Sequence, residues 1–433
     1  MDTLARLEAG QLAGITRLDL SCGLTEFPQA IFSLADSLQV LNLSGNALSS
    51  LPADLHRLHK LEVLFCSDNR FTELPACIGQ CHSLRMVGFK ANRIQHVPAE
   101  ALPPRLRWLI LTDNCITQLP DALGDCTEMQ KLMLAGNRLS ALPDLSRMAR
   151  LELLRLSINQ LPVLPDWLLR LPRLAWLAYA GNPLPAGFNT PEQQAQTPAI
   201  GWSQLRLQEV LGQGASGVIH RALREDGRAV AVKLYKGEVT SDGSPLNEMS
   251  ACLQAGLHDH LIALEGRVHD HPEGIEALVM ALIDPAYLNL AGPPSLASCS
   301  RDVYEGALQL SPSAVWRMAA ALASVGAHLH SLGINHGDLY AHNVLYQADG
   351  HCLLGDFGAA AFYPREHGEW AHGLERIEVR AYGILLGELL ERCDSADERL
   401  HAVQQRCTQP DVTTRPSFAE VLAALAEARP AAA

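Results

Sequence analysis

Asparagines stand at positions 46, 69, 92, 114, 137, 159 and 182, separated by 23, 23, 22, 23, 22 and 23 residues. Around each, apolar residues sit eight, five and three positions before and two after. For Asn46 these are Leu38, Leu41, Leu43 and Leu48; for Asn114 they are Leu106, Leu109, Leu111 and Ile116. A proline follows the first six asparagines by six positions, at Pro52, Pro75, Pro98, Pro120, Pro143 and Pro165. An opening unit (Ile15, Leu18, Leu20, Leu24, Phe27, Pro28) keeps the apolar positions and lacks the asparagine, as a terminal unit of an array does. A period this regular is not accidental and marks an array of repeats. Each unit is too small to bury its own apolar face, so neighbours must stack into a shared core, with each asparagine amide bonding the backbone that turns away from it.

The pattern LxxLxLxxNxL resembles the leucine-rich repeat and predicts a solenoid of about eight repeats over residues 1–185. The positions between the strand leucines face the concave side. The column six residues before each asparagine reads Val40, Val63, Met86, Trp108, Lys131, Leu153 and Trp176. Two tryptophans make this column, without the lysine, the expected binding stripe for a protein substrate or regulator; packing of the column on itself is the alternative.

After Leu184 the period stops. Residues 186–203 read as a linker rich in proline, glutamine and small residues. From Gln204 the texture changes to β-branched runs followed by longer alanine-rich stretches, predicting a mixed domain over 204–427 and a tail at 428–433.

Charge separates the two parts. Residues 1–190 hold 17 basic and 17 acidic side chains, so the excess behind the net charge of −13 lies beyond them. An acidic second part disfavours nucleic acid and anionic membrane as partners. No apolar run approaches the length of a membrane span, and no secretory leader is recognisable. The eleven scattered cysteines, without a CxxC pair, suit a reducing cytoplasm.

Chemistry concentrates in the second part. VLGQGASGVIH places Gly212, Gly214 and Gly217 around Gln213, Ala215 and Ser216, with Val218 next, a hairpin whose glycines let backbone approach phosphates. Lys233 in VAVKLY follows Gly217 by sixteen residues, where a dinucleotide fold would already be helical. Glu248 lies in a helical pattern and can pair with Lys233. In INHGDLYAHNVL and LLGDFGA, Asp338 is followed after five residues by Asn343 and after thirteen more by Asp356. Three oxygen-bearing side chains on two loops suit octahedral Mg²⁺ and an incoming hydroxyl.

Together these motifs resemble the protein kinase family, and the whole chain resembles a soluble, bacterial-type leucine-rich repeat protein kinase. The resemblance implies an α/β chain: a repeat solenoid followed by a bilobal α+β kinase domain that uses ATP with Mg²⁺, or Mn²⁺ in its place. It makes Asp338 the residue that orients and deprotonates the acceptor hydroxyl, and Asn343 and Asp356 the metal ligands. Lys233, held by Glu248, would grip the phosphates under the loop from Gly212 to Gly217, with Val218 over the purine. Ala231 and Leu345 would sandwich adenine, Met280 would back its pocket, and the hinge around Leu282 would bind its edge.

The chain also departs from the family. Gly337 precedes Asp338 where many kinases carry an arginine that answers a phosphorylated loop. The segment from Asp356 to Glu378 has no serine or threonine and only Tyr363. No A-P-E triplet is present, leaving Glu375 or Glu378 to pair with Arg415, and Glu378 stands where the family has aspartate. Tyr340 replaces a lysine. HGDLxxxN also occurs in aminoglycoside and choline kinases, so a small-molecule acceptor and a catalytically silent scaffold stand beside the expected serine/threonine-protein kinase.

Overall fold

The structure, a computed structural model, describes residues 3–188, 198–214, 216–237, 240, 242–366, 368–395 and 397–428. The chain divides into two compact units, Met1–Leu171 and Pro172–Ala433.

In the first unit, helix α1 (Thr3–Glu8) precedes seven three-residue strands: β1 (Arg17–Asp19), β2 (Val40–Asn42), β3 (Val63–Phe65), β4 (Met86–Gly88), β5 (Trp108–Ile110), β6 (Lys131–Met133) and β7 (Leu153–Arg155). Each pairs in parallel with the next in constant register, so Val40, Val63, Met86, Trp108, Lys131 and Leu153 form one column. The leucines at the strand centres and the flanking apolar positions fill the core, with Leu41, Leu64, Leu109, Leu132 and Leu154 all buried. The prolines have a place too: Pro75, Pro98, Pro120 and Pro165 each immediately precede a 3-10 turn, where a fixed φ and a missing N–H cost nothing.

The asparagines form a ladder between repeats. The amide of Asn114 donates to Leu111 O (3.0 Å) and to Phe89 O of the preceding repeat (2.9 Å), while its Oδ1 accepts the N–H of Ile94 (2.9 Å). Asn69, Asn92, Asn137 and Asn159 repeat the arrangement. The residue before each asparagine takes a left-handed backbone, whether it is Gly45, Asp68, Ala91, Asp113, Gly136 or Ile158. For β-branched Ile158 that conformation is strained.

The second unit opens with strand β8 (Trp176–Ala178). This compact unit starts ahead of the expected boundary at 185, so Asn182, the seventh asparagine of the series, lies in the unit that carries Lys233, Asp338 and Asp356. Residues 189–197 of the expected linker lie outside the described residues. Its last part is not linker: β9 (Ala199–Gly201) pairs in parallel with β13 (Leu264–His269) at the edge of a six-stranded sheet. The other strands, β10 (Leu205–Gln213), β11 (Gly217–Arg224), β12 (Ala229–Tyr235) and β14 (Ala277–Ala281), complete it in the order β10-β11-β12-β14-β13-β9. Helix α2 (Pro245–Ala255), capped by Ser244 and begun by Pro245, packs Met249 and Leu253 on Leu278 and Tyr235 of this sheet.

The larger lobe is built on helix α3 (Pro312–Ser331) and helix α4 (Gly368–Leu390), followed by α5 (Glu398–Cys407) and α6 (Phe418–Ala428). Short strands, one before α3 and four between α3 and α4, carry the loops of interest. Strand β15 (Leu288–Asn289) pairs with β17 (Val344–Tyr346), β17 with β18 (Cys352–Leu354), and β16 (Ile334–Asn335) with β19 (Ala361–Phe362). Among the described residues no helix is long and apolar enough to cross a membrane, and no cysteine is in a disulfide.

Candidate active site

A cleft of about 590 Å³ lies between the sheet and the β15-β17-β18 hairpins. Its lining includes Gly212, Ala231, Lys233, Glu248, Met280, Leu282, Leu345 and Asp356. Strand register explains the upper wall. Ile219 is paired with Lys233, and Ala231 with Met280, so these four side chains share one sheet face. Val218 is paired with Leu234 on the opposite face and does not line the cleft. Ile219, one residue further on, lines the cleft where Val218 was expected. The two-residue period of a strand makes such a shift absolute.

At the tip of the β10-β11 hairpin, Gly214 N donates to Gly217 O (2.9 Å), and Lys236 reaches Gly214 O with its ammonium (3.1 Å). Gln213, Gly214, Ser216 and Gly217 form this tip without lining the cleft; Ala215 lies outside the described residues. Gly217 has a local reason to be glycine, because a Cβ there would stand 2.4 Å from Leu234 O.

Lys233 on β12 forms an ion pair with Glu248 on α2, and both are largely buried. Burial alone would lower the Lys233 value, but Glu248 and then Asp356 outweigh it and hold the ammonium above its ordinary value. Glu248 Oε2 and the Tyr235 hydroxyl are buried without a hydrogen-bond partner among the described residues. The buried ammonium and the open Tyr235 hydroxyl are the groups at this end of the cleft that can donate to a polyanion, whereas the open Glu248 oxygen can only accept.

Asp338 and Asn343 occupy the loop between β16 and β17. Asn343 Nδ2 donates to both Asp338 O (2.9 Å) and Asp338 Oδ2 (3.0 Å). The Asn343 carbonyl accepts Gly355 N (3.0 Å), tying this loop to the residue before Asp356. Histidine 336 makes a second tie: its Nδ1 accepts Asp338 N (3.3 Å), so its Nε2 carries the proton donated to Gly355 O (3.0 Å). Asp356 is exposed, has a left-handed backbone, and accepts Gly358 N with Oδ1 (3.1 Å). His342 reaches buried Asp302 (2.8 Å); burial lowers its value, but this bond and the nearby Asp338 and Asp356 carboxylates raise it overall. The oxygens of Asp338, Asn343 and Asp356 thus belong to two loops bonded to each other, with Asn343 and Asp356 a donor pair that fits Mg²⁺.

The departures also acquire a geometry. Glu378 of α4 accepts the N–H groups of His336 (3.1 Å) and Gly337 (2.6 Å), with His330 Nε2 at 2.7 Å. Neither Glu375 nor Glu378 pairs with Arg415. Glu375 takes Phe418 N, and the buried Arg415 donates to three carbonyls, Gln409 O, Arg376 O and Pro172 O. Backbone oxygens do the work of the missing glutamate. Tyr363 is buried, its hydroxyl 2.7 Å from His330 Nδ1.

Trp176 departs furthest from expectation. It is 1% exposed and stacks on Tyr340 of the loop carrying Asp338, rather than lying open on a concave stripe. Of the rest of the stripe, Val63, Met86, Lys131 and Leu153 are buried, Val40 and Trp108 are partly buried, and the Lys131 ammonium lies 4.2 Å from the Trp108 ring centre.

Comparison with known proteins agrees with this geometry. Residues 205–372 match the protein kinase domain, and residues 13–71 and 82–139 match the leucine-rich repeat. A CBL-interacting protein kinase of Oryza sativa subsp. japonica is 34% identical over 164 residues, 36% of each chain. A probable leucine-rich repeat receptor-like protein kinase of Arabidopsis thaliana is 26% identical over 208 residues, 45% of this chain and 30% of the relative. The chain spans about a third of the length of the curated relatives it matches. It joins leucine-rich repeats in its first part to a protein kinase domain in its second.

Proposed function

We propose that the chain is a Mg²⁺- and ATP-dependent protein kinase acting on serine or threonine hydroxyls, with a protein substrate or regulator recruited by the repeats. The Lys233–Glu248 pair carries this reading, because a buried ammonium held at the wall of an apolar cleft, with Asp356 near it, is arranged for a nucleotide. ATP with its metal ion supplies the phosphoryl group, and Asn343 and Asp356 would hold that ion. Ala231, Leu345, Met280 and Ile219 offer apolar contact to a base, while Leu282 lies on the hinge. Asp338, with one carboxylate oxygen held by Asn343, orients the acceptor hydroxyl and takes its proton. The absence of disulfides among the described residues, which include buried Cys352 and Cys407 whose values burial pushes up to about 12, fits a reducing cytoplasm.

Incubation with labelled ATP and Mg²⁺, followed by mapping of the modified residues, tests the reading. Phosphoserine or phosphothreonine that disappears with Lys233→Met and with Asp338→Ala is expected. Wild-type transfer no faster than Asp338→Ala would instead mark an interaction scaffold, and transfer only to added small alcohols would mark a metabolite kinase.

A further inference from the structure

The loop carrying Asp338 lacks the family's arginine. Its place is taken from within the same unit by β8. The indole N–H of Trp176 donates to Leu339 O (3.1 Å), and its ring lies 4.1 Å from that of Tyr340 with the planes 8° apart. Leu177 O accepts Asn335 Nδ2 (3.1 Å), and the Tyr179 hydroxyl donates to Phe362 O (3.3 Å). The strand is itself fixed at its start, where Pro172 O accepts from Arg415 (2.8 Å) and Arg173 O from Arg380 (3.2 Å). Gly337, with φ of 73°, completes the fit: a Cβ there would stand 2.7 Å from Leu177 O and 2.7 Å from Ala359 O.

These contacts bracket Asp338. Asn335 and Gly337 before it, and Leu339 and Tyr340 after it, all touch β8, while Glu378 holds the N–H groups of His336 and Gly337. We propose that β8 is the element that positions the catalytic loop, with Trp176 the positioning residue for Asp338. The proposal rests on the kinase reading for its catalytic consequence only. A loop fixed by packing against a permanent strand needs no phosphorylated residue to order it, which accords with the burial of Tyr363.

The test uses the full chain with Trp176→Ala, Trp176→Phe and, from the other side of the stack, Tyr340→Leu. Three readouts separate positioning from mere packing: kcat, the KM for ATP together with the Kd of a fluorescent ADP analogue, and amide hydrogen exchange across residues 335–343. For Trp176→Ala and Tyr340→Leu, kcat should fall about tenfold or more while nucleotide affinity stays within about twofold, since the cleft walls are untouched. Exchange across 335–343 should rise about tenfold in both, and Trp176→Phe should recover most of kcat. Unchanged kcat and exchange overturn the proposal. So does a parallel loss of kcat and nucleotide affinity with faster exchange throughout α3 and α4. A wild-type chain that transfers no phosphate overturns the kinase reading instead, and the exchange comparison then decides the clamp by itself.

Discussion

Glu378 Oε1 accepts the backbone N–H of Gly337 at 2.6 Å, and its other oxygen serves His336 N and His330 Nε2. One carboxylate of α4 therefore satisfies two adjacent buried N–H groups immediately before Asp338. Burial pushes this carboxyl up, but the His330 hydrogen bond and charge outweigh it, and the net value lies below the ordinary one.

Glu378→Gln replaces one acceptor oxygen by a donor facing a donor, which should cost about 3–5 kcal/mol in urea unfolding. Because the folded value is depressed, the stability Glu378 contributes is present above the ordinary glutamate value and is lost as pH falls through the folded one. Wild type should lose stability on acidification over that window, and Glu378→Gln should lose less.

Glu388 has the opposite sign. Burial pushes its carboxyl up to about 7, with Asp302 adding to the rise and the Tyr304 hydroxyl (2.8 Å) opposing it. The folded state then binds more protons than the unfolded one between the ordinary glutamate value and about 7, so stability falls as pH rises across that range. Glu388→Gln, which can still accept from Tyr304, should be near neutral at low pH and stabilising by about 1–3 kcal/mol above neutrality. Thermal melts at two pH values on either side of that window check this.

Ile158 is the β-branched member of the left-handed series, at φ of 54°. Glycine fills the equivalent place at 45 and 136, and Ile158→Gly should stabilise the repeats by about 1 kcal/mol after the extra chain entropy of glycine is counted. Loss of stability in denaturant titration would show that the Ile158 side chain contributes more than its backbone strain costs.

Asp356→Asn keeps the shape of the side chain and removes its charge. Phosphotransfer should fall about a hundredfold, and the Mg²⁺ concentration for half-maximal rate should rise about tenfold. An unchanged Mg²⁺ requirement would take Asp356 out of the metal site.

The repeat was legible because apolar residues, mostly leucine, recur at fixed offsets from an asparagine whose amide bonds three backbone groups at once. The left-handed residue before it was hidden, since Gly, Asp, Ala and Ile all occupy it. Lys233, Glu248, Asp338, Asn343 and Asp356 stood out by type and spacing. Ile219 did not, because parity along β11 is set by pairing with Lys233 rather than by residue type. Trp176 shares its period with Trp108, yet its environment comes from Leu339 and Tyr340, far away in the chain. Periodicity reports which face a residue takes; it says nothing of what arrives on that face. The same limit hid the carbonyl partners of Arg415.

At position 337 two carbonyl oxygens leave no room for even a methyl group. An arginine introduced there to install phosphate control would displace β8 before it met any phosphate, so restoring the commoner design takes at least two coordinated changes.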